Sequence, residues 1–147
     1  MSAASITTIQ KGLEVRLDQL NRSGTVRRPI AWENINFTPP ATGLWWQTAF
    51  QPAMPVGLGM GEGGTKLYVG QFAVNVFQPR TGGTGGPSAA IDDAARIIDQ
   101  FPVGGYFAYA GLTIHILSAG RLTGEIDQTW YFIPVRIRWQ AWVDELG

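Results

Sequence analysis

KLYVGQFAVNVFQPRTGGTGGPSAAIDDAARIIDQF, residues 66–101, holds a strand-like run, a glycine-rich break and a helix-like run, and the rest of the chain is arranged around it. From Lys66 to Phe77, Tyr68, Phe72, Val74 and Val76 fall on one face with Gly70. Leu67, Val69, Gln71, Ala73, Asn75 and Phe77 share the other. Period-two placement of aromatic and β-branched residues fits a half-buried strand, because successive side chains leave opposite sides of a pleated backbone. Pro79 lacks a backbone donor and is expected to end the pairing. Beyond Pro87, Ser88 is an N-cap, and Asp92 and Asp93 lie near the positive end of the helix dipole. Ile91, Ala94, Ala95, Ile98 and Phe101 recur at three and four residues, which predicts an apolar helix face laid on the sheet. Pro102 and Gly104-Gly105 close the helix.

A strand, a glycine loop and a helix in sequence raise the question of a phosphate cradle. Arg80 to Gly86 and the residues after it contain no Gly-Lys-Ser/Thr, so the lysine and magnesium-binding hydroxyl of a P-loop have no counterpart. Upstream, Gly59-Met60-Gly61-Glu62-Gly63-Gly64 satisfies the spacing G-x-G-x-x-G. A dinucleotide fingerprint follows a strand and opens a helix, whereas here a strand follows. The stretch 80–86 therefore reads as a flexible surface connection, and the upstream one as a mobile hairpin loop able to reach a neighbouring subunit.

Composition narrows the function classes. The 147 residues are enough for one domain with its own core, and a single domain spanning 1–147 is expected. With 45% apolar residues, six Trp in the chain and only 15% charged residues, part of the apolar surface is expected to meet other protein. Eleven basic and eleven acidic residues cancel, which argues against a dedicated nucleic-acid binder that gains affinity by displacing counterions. The chain has no cysteine, which excludes a disulfide framework, a thiol nucleophile and a Cys-based zinc site. Met1 to Ile9 lacks a basic segment followed by an apolar core, and no run approaches the roughly twenty apolar residues that cross a bilayer. A soluble protein made in the cytoplasm is the expectation.

Ser5 is read as the cap of a first helix in which Ile6, Ile9, Leu13, Leu17 and Leu20 repeat at three and four, with Gln10, Lys11, Glu14, Arg16 and Asp18 outward. Asn21 to Gly24 stops it. Pro29 to Asn34 is a short extended piece running along a sheet edge into the turn at Phe37-Thr38-Pro39-Pro40. Leu44 to Phe50 is a strand that pairs with the Lys66 strand across the loop Gln51 to Thr65. Tyr106 to Tyr109 is apolar, Gly111 permits a turn, and Leu112 to Leu117 is a strand carrying the only histidine, His115, read as structural or interfacial.

Gly120 to Gln128 reads as a polar turn, and Thr129 to Val143 as the last and longest strand. Its odd positions, Tyr131 through Val143, form the core face. The even positions Arg136, Arg138 and Trp142 combine arginine with aromatic surface, a composition enriched at interfaces, against the plainer alternative of a solvated sheet face. Pro134 predicts a sheet edge or a bulge. The order of elements predicts an α+β fold of two layers, a mainly antiparallel sheet with two helices packed on one face.

Taken together, the early helix, Ile30-Ala31-Trp32-Glu33-Asn34-Ile35-Asn36-Phe37-Thr38-Pro39-Pro40, Gly57-Leu58-Gly59, Gly70 through Pro79, and Trp130-Tyr131-Phe132-Ile133-Pro134-Val135 before a Trp-bearing strand resemble the tail terminator-like proteins of long-tailed bacteriophages. The resemblance covers nearly the whole chain, and its motifs are structural. It implies a structural virion protein at the head-tail junction, assembled in the host cytoplasm. Its copies are expected to form a ring, taken as hexameric, on the head-proximal end of the tail tube, where it halts tube polymerisation and offers a docking surface to head-completion or connector proteins. DNA is expected to pass through the lumen without specific binding. Neither catalysis nor a cofactor or metal is expected, and the family supplies no catalytic residues to transfer. A ring-forming cap needs two different faces and a lateral self-interface. The residues assigned to these contacts are Gly59, Gly61, Glu62 and Lys66 at the glycine hairpin, Arg80 at the second loop, and Arg136, Arg138 and Trp142 on the even face. Another neck or tail component, such as a tube or connector subunit, is the alternative, and a nucleotide-binding enzyme a more distant one.

Overall fold

Fifteen consecutive antiparallel pairs join Thr65–Pro79 to Trp130–Asp144, from Thr65 opposite Asp144 to Pro79 opposite Trp130. The computed structural model of the chain describes residues 2–24, 27–40, 42–53, 56–57, 65–80, 88–127 and 129–144. In chain order the elements are α1 (Ser2–Ser23), β1 (Ile30–Ala31), β2 (Trp45–Pro52), β3 (Val56–Gly57), β4 (Thr65–Pro79), α2 (Ser88–Gln100), β5 (Tyr106–Tyr109), β6 (Leu112–Arg121), β7 (Glu125–Asp127) and β8 (Trp130–Asp144). The sheet runs β1-β2-β4-β8-β6-β5, with β3 added to β4 and β7 to β8. Every pairing is antiparallel except β1 with β2. Two helices and a curled, mostly antiparallel sheet make the fold α+β.

One face of the sheet carries the core. Phe72 opposite Ile137, Val74 opposite Val135 and Val76 opposite Ile133 place β-branched and aromatic side chains in rows, and Trp46, Phe50, Ile114 and Ile116 extend the rows onto β2 and β6. Ile9, Leu13 and Leu17 of α1 and Ala90, Ala94, Ile97 and Phe101 at α2 close over them. The alternation expected in residues 66–77 and the odd face of the last strand are both borne out. Gly70 is required where Trp139 crosses the sheet: a Cβ there would lie 2.6 Å from the indole Cζ2 and 2.7 Å from the Gln51 carbonyl oxygen. The β5–β6 hairpin turns through Ala110 and Gly111 at φ 49° and 85°, the paired left-handed conformations of a tight hairpin.

Several expectations need correction. α1 begins at Ser2, so Ser5 lies inside the helix and does not cap it. Arg16 is not simply outward: its Nε donates to the Gln100 carbonyl at 2.8 Å, Gln100 Nε2 donates back to the Arg16 carbonyl at 3.0 Å, and its guanidinium lies 4.7 Å from the Phe107 ring centre. That link satisfies a carbonyl at the end of α2 that no helical amide reaches. The buried face of α2 is Ala90, Asp93, Ala94 and Ile97 leading to Phe101, while Ile91 and Ile98 are only half-buried and Ala95 is exposed. Gln51 and Pro52 belong to β2 and Val56–Gly57 is a short strand, so the span 51–65 is not loop throughout. Similarly, the expected polar turn 120–128 contains the end of β6 and the whole of β7.

Pro134 sits in a central strand, neither at an edge nor at a bulge, since the irregularity falls between Ile116 and Ser118 of β6. Its carbonyl accepts from the Leu122 amide at 2.8 Å, so its nitrogen faces the junction where β7 gives way to β6 as the neighbour of β8. The acceptor its missing N–H leaves is the Leu122 carbonyl, on a residue that is itself exposed to water at the end of β6.

The buried helix position Asp93 organises the approach to β1. It is 2% exposed, and three donors converge on it: Arg28 Nε at 2.8 Å and Trp46 Nε1 at 3.0 Å on Oδ2, and Arg28 Nη2 at 3.2 Å on Oδ1. Arg96 adds a looser ion pair at 3.7 Å. The same Arg28 is gripped through its backbone by Asn21, whose Nδ2 donates to the carbonyl at 2.9 Å and whose Oδ1 accepts from the amide at 2.8 Å. From this clamp the chain enters β1, whose parallel pairing begins as Trp46 N donates to the Pro29 carbonyl at 3.0 Å.

Candidate interaction surface

The sheet face turned away from the helices is built from the alternate residues of the same strands. Cross-strand register sets its rows: Trp45-Phe77-Phe132-Glu125, then Gln47-Asn75-Pro134, Ala49-Ala73-Arg136-Gly120, Gln51-Gln71-Arg138-Ser118, Val69-Gln140-His115-Tyr106, and Leu67-Trp142. The first row is closed by the chain itself. Trp45 stacks on Phe77 at 4.1 Å between ring centres, Phe77 on Phe132 at 4.9 Å, Trp130 meets Trp45 edge-on at 5.6 Å, and Phe37 covers Trp45 at 5.2 Å. The turn that brings Phe37 there needs Asn34 at φ 61°. Beside it, residues 31–39 and β2 border a groove of about 570 Å³.

Away from that end the face is polar and open. Gln71 Nε2 donates to Gln51 Oε1 at 2.8 Å, Asn75 Nδ2 to Gln47 Oε1 at 3.2 Å, and Arg136 Nη1 to Asn75 Oδ1 at 3.1 Å, an amide ladder running across three strands. Arg136 is half-buried, and that burial pulls its guanidinium below its ordinary pKa, with the charge of Glu125 acting in the opposite sense. Arg138 is exposed. Trp142 is 50% exposed, and Tyr106, 69% exposed, stacks on His115 at 5.0 Å.

The residues singled out from sequence are thus distributed unequally. Arg136, Arg138 and Trp142 do share this face, but Arg136 is committed to Asn75 and to the Val135 carbonyl, so Arg138 and Trp142 are its available groups. Lys66 pairs with Val143 and Gly57 and lies on the opposite, helix-bearing side of β4, so it does not join them. Arg80 is exposed just past β4, where its amide donates to the Thr129 carbonyl at 2.9 Å. Gly59, Gly61 and Glu62 lie outside the described residues.

Sequence reasoning passed over the strand β7. Glu125, Ile126 and Asp127 are all exposed, Ile126 by 62%, and Leu122 nearby is exposed as well. Their only signal was a charged-apolar-charged alternation three residues long, too short for periodicity to register.

The model of the phage tail terminator protein family matches residues 8–139. No curated protein matches the sequence. One solved structure, 25% identical in sequence, superposes with a TM-score of 0.75 over 92% of this chain and 94% of its own. Another, a chain in the virion of a native gene transfer agent particle, is 15% identical and superposes with a TM-score of 0.58 over 86% of this chain and 91% of its own.

Proposed function

The chain belongs to the phage tail terminator family and is a structural protein of the phage tail; from this premise we propose that it forms a closed ring, six subunits in all, on the head-proximal end of the tail tube. The ring stops addition of further tube subunits and presents a surface on which a head-completion or connector protein docks. DNA passes through its lumen without being read. The observation that carries the reading is the family match across 132 consecutive positions, residues 8–139, which spans α1 through most of β8.

The physical features agree with an assembling role. An α+β subunit whose core is fully covered by its own helices still leaves a polar sheet face bearing an exposed arginine and a half-exposed tryptophan. Tryptophan, tyrosine and arginine are the side chains that most often dominate association energies. The chain's zero formal net charge suits a channel that must release DNA, since tight phosphate neutralisation would hold it.

The test is negative-stain imaging and mass measurement of the purified protein, alone and with tail tubes, together with tube length when subunits polymerise in its presence. Closed rings, or rings seated on tube ends, with tubes held at limited length are expected. A protein that stays monomeric with tubes and leaves their length unchanged overturns the reading. Self-polymerisation into long tubes would instead identify a tube subunit.

A further inference from the structure

We infer that the ring closes through a head-to-tail contact in which the acidic strand β7 of one copy sits on the Arg138–Trp142 region of the next. This rests on the ring reading above and names the two halves of its lateral interface. Both halves lie along β8. The rows from Ala49-Ala73-Arg136 to Leu67-Trp142 contain two arginines and His115 and no carboxylate, and the next row out is Thr65-Asp144, six positions from Arg138 along β8. Arg138 has no ion-pair or hydrogen-bond partner among the described residues. Trp142, Tyr106 and Leu117 supply apolar area around it.

At the other end, Glu125 opposes Phe132 and Asp127 opposes Trp130, so both carboxylates lie on the same sheet face as Arg138. Leu122, whose amide donates to the Pro134 carbonyl, adds exposed apolar surface on that face, whereas Ile126 opposes Tyr131 and belongs to the other. Glu125 is six positions from Arg138 along β8, about 20 Å at a strand rise of about 3.3 Å per residue. Side chains do not span that distance, so Glu125 and Arg138 cannot meet within one subunit, although the nearer Arg136 feels the charge of Glu125. They can meet between subunits, and each copy then offers one acidic and one basic half.

That geometry is heterologous, the kind that generates a ring when its rotation closes. A two-fold contact through either patch alone would set like charge on like. A flat face-to-face dimer that matched both pairs at once is obstructed by the chain covering the Trp45 row, where Phe37 stands over the sheet. Complementary charge of this sort fixes which surfaces meet and in what register.

The experiment uses the full chain at moderate ionic strength, with mass measured by light scattering or native mass spectrometry and melting temperature as the folding control. R138E and the double variant E125R/D127R should each keep the wild-type melting profile and each lose the oligomer, shifting its assembly concentration by at least tenfold. The triple variant, in which all three charges are exchanged, should regain it. An equimolar mixture of R138E with E125R/D127R should also assemble, because every contact again pairs opposite signs.

Wild-type rings that both reversals leave intact would overturn this contact while the ring reading stands. A wild-type protein monomeric with and without tubes would overturn both. A wild-type mass of two subunits dissolved by R138E would overturn the head-to-tail arrangement. If R138E fails to fold, R138Q and W142A serve in its place and should weaken assembly in the same direction.

Discussion

Replacing Asp93 with alanine tests the account of how the N-terminal third of the chain is fastened to the sheet. The carboxylate is 2% exposed and takes hydrogen bonds from Arg28 Nε, Arg28 Nη2 and Trp46 Nε1. Removing one partner of a buried ion pair strands the other charge and costs about 3–5 kcal/mol. Arg28 keeps 21% of its side chain exposed, so water recovers part of its solvation and the lower end, about 3 kcal/mol, is expected. With a urea dependence of about 2 kcal/mol per molar, the unfolding midpoint should fall by about 1.5 M at unchanged slope. D93N should fare little better, because the asparagine amide turns its NH2 toward one of three converging donors while keeping a single oxygen. R28A should cost a similar amount, and R28A/D93A together less than the sum, since the two side chains act as one unit. Equilibrium urea unfolding followed by tryptophan fluorescence and circular dichroism reads all four. A D93A loss below about 1 kcal/mol, the size of an exposed pair, would refute the reasoning.

Three further outcomes are expected. G70A should lose about 1–3 kcal/mol of stability, because its Cβ meets the Trp139 ring and the Gln51 carbonyl, whereas G120A, with nothing within 4 Å, should stay within about 0.5 kcal/mol; thermal unfolding of both checks this. N21A removes both hydrogen bonds to the Arg28 backbone and should cost about 2 kcal/mol, at about 1 kcal/mol for each bond, in the same urea assay. Burial pushes the Glu14 carboxyl above its ordinary range, with the Gln10 hydrogen bond opposing and the charge of Glu33 adding to the rise. The folded state therefore holds its proton more tightly, and this site's contribution to stability falls as pH climbs from 4.5 through the folded value. E14Q should accordingly be more stable than the parent at pH 7, with the gain shrinking toward pH 4; a variant less stable at pH 7 would contradict it.

What was legible from sequence followed from how much repetition each element carries. β4 and β8 each run for fifteen residues with a clear alternation over most of their length, so strand, core face and outer face were all readable, as was the amphipathic α1. The face of α2 came out one position askew because a buried aspartate interrupts its apolar pattern, and the arginine that makes the burial tolerable lies 65 residues away. Ser5 looked like a cap because Ser2-Ala3-Ala4 offers no apolar period, although nothing there forbids helix. Pro134 misled because a missing donor is harmful only where the acceptor it leaves is cut off from water, and Leu122 opposite it is exposed, which is a matter of topology. At the surface, the exposed groups of the last strand were found through its alternation. The strand β7 was missed because three residues added to an already complete strand have no core pattern of their own.

The central ladder also sets the order in which the molecule can be built. Residues 65–79 emerge from a ribosome well before residues 130–144, so β4 must wait, half-edged, while some fifty intervening residues are made. Until β8 arrives, Trp139 is not there to cover Gly70 and the sheet face bearing Arg138 and Trp142 does not exist, so completing the sheet requires closure of a long segment and not only local coiling.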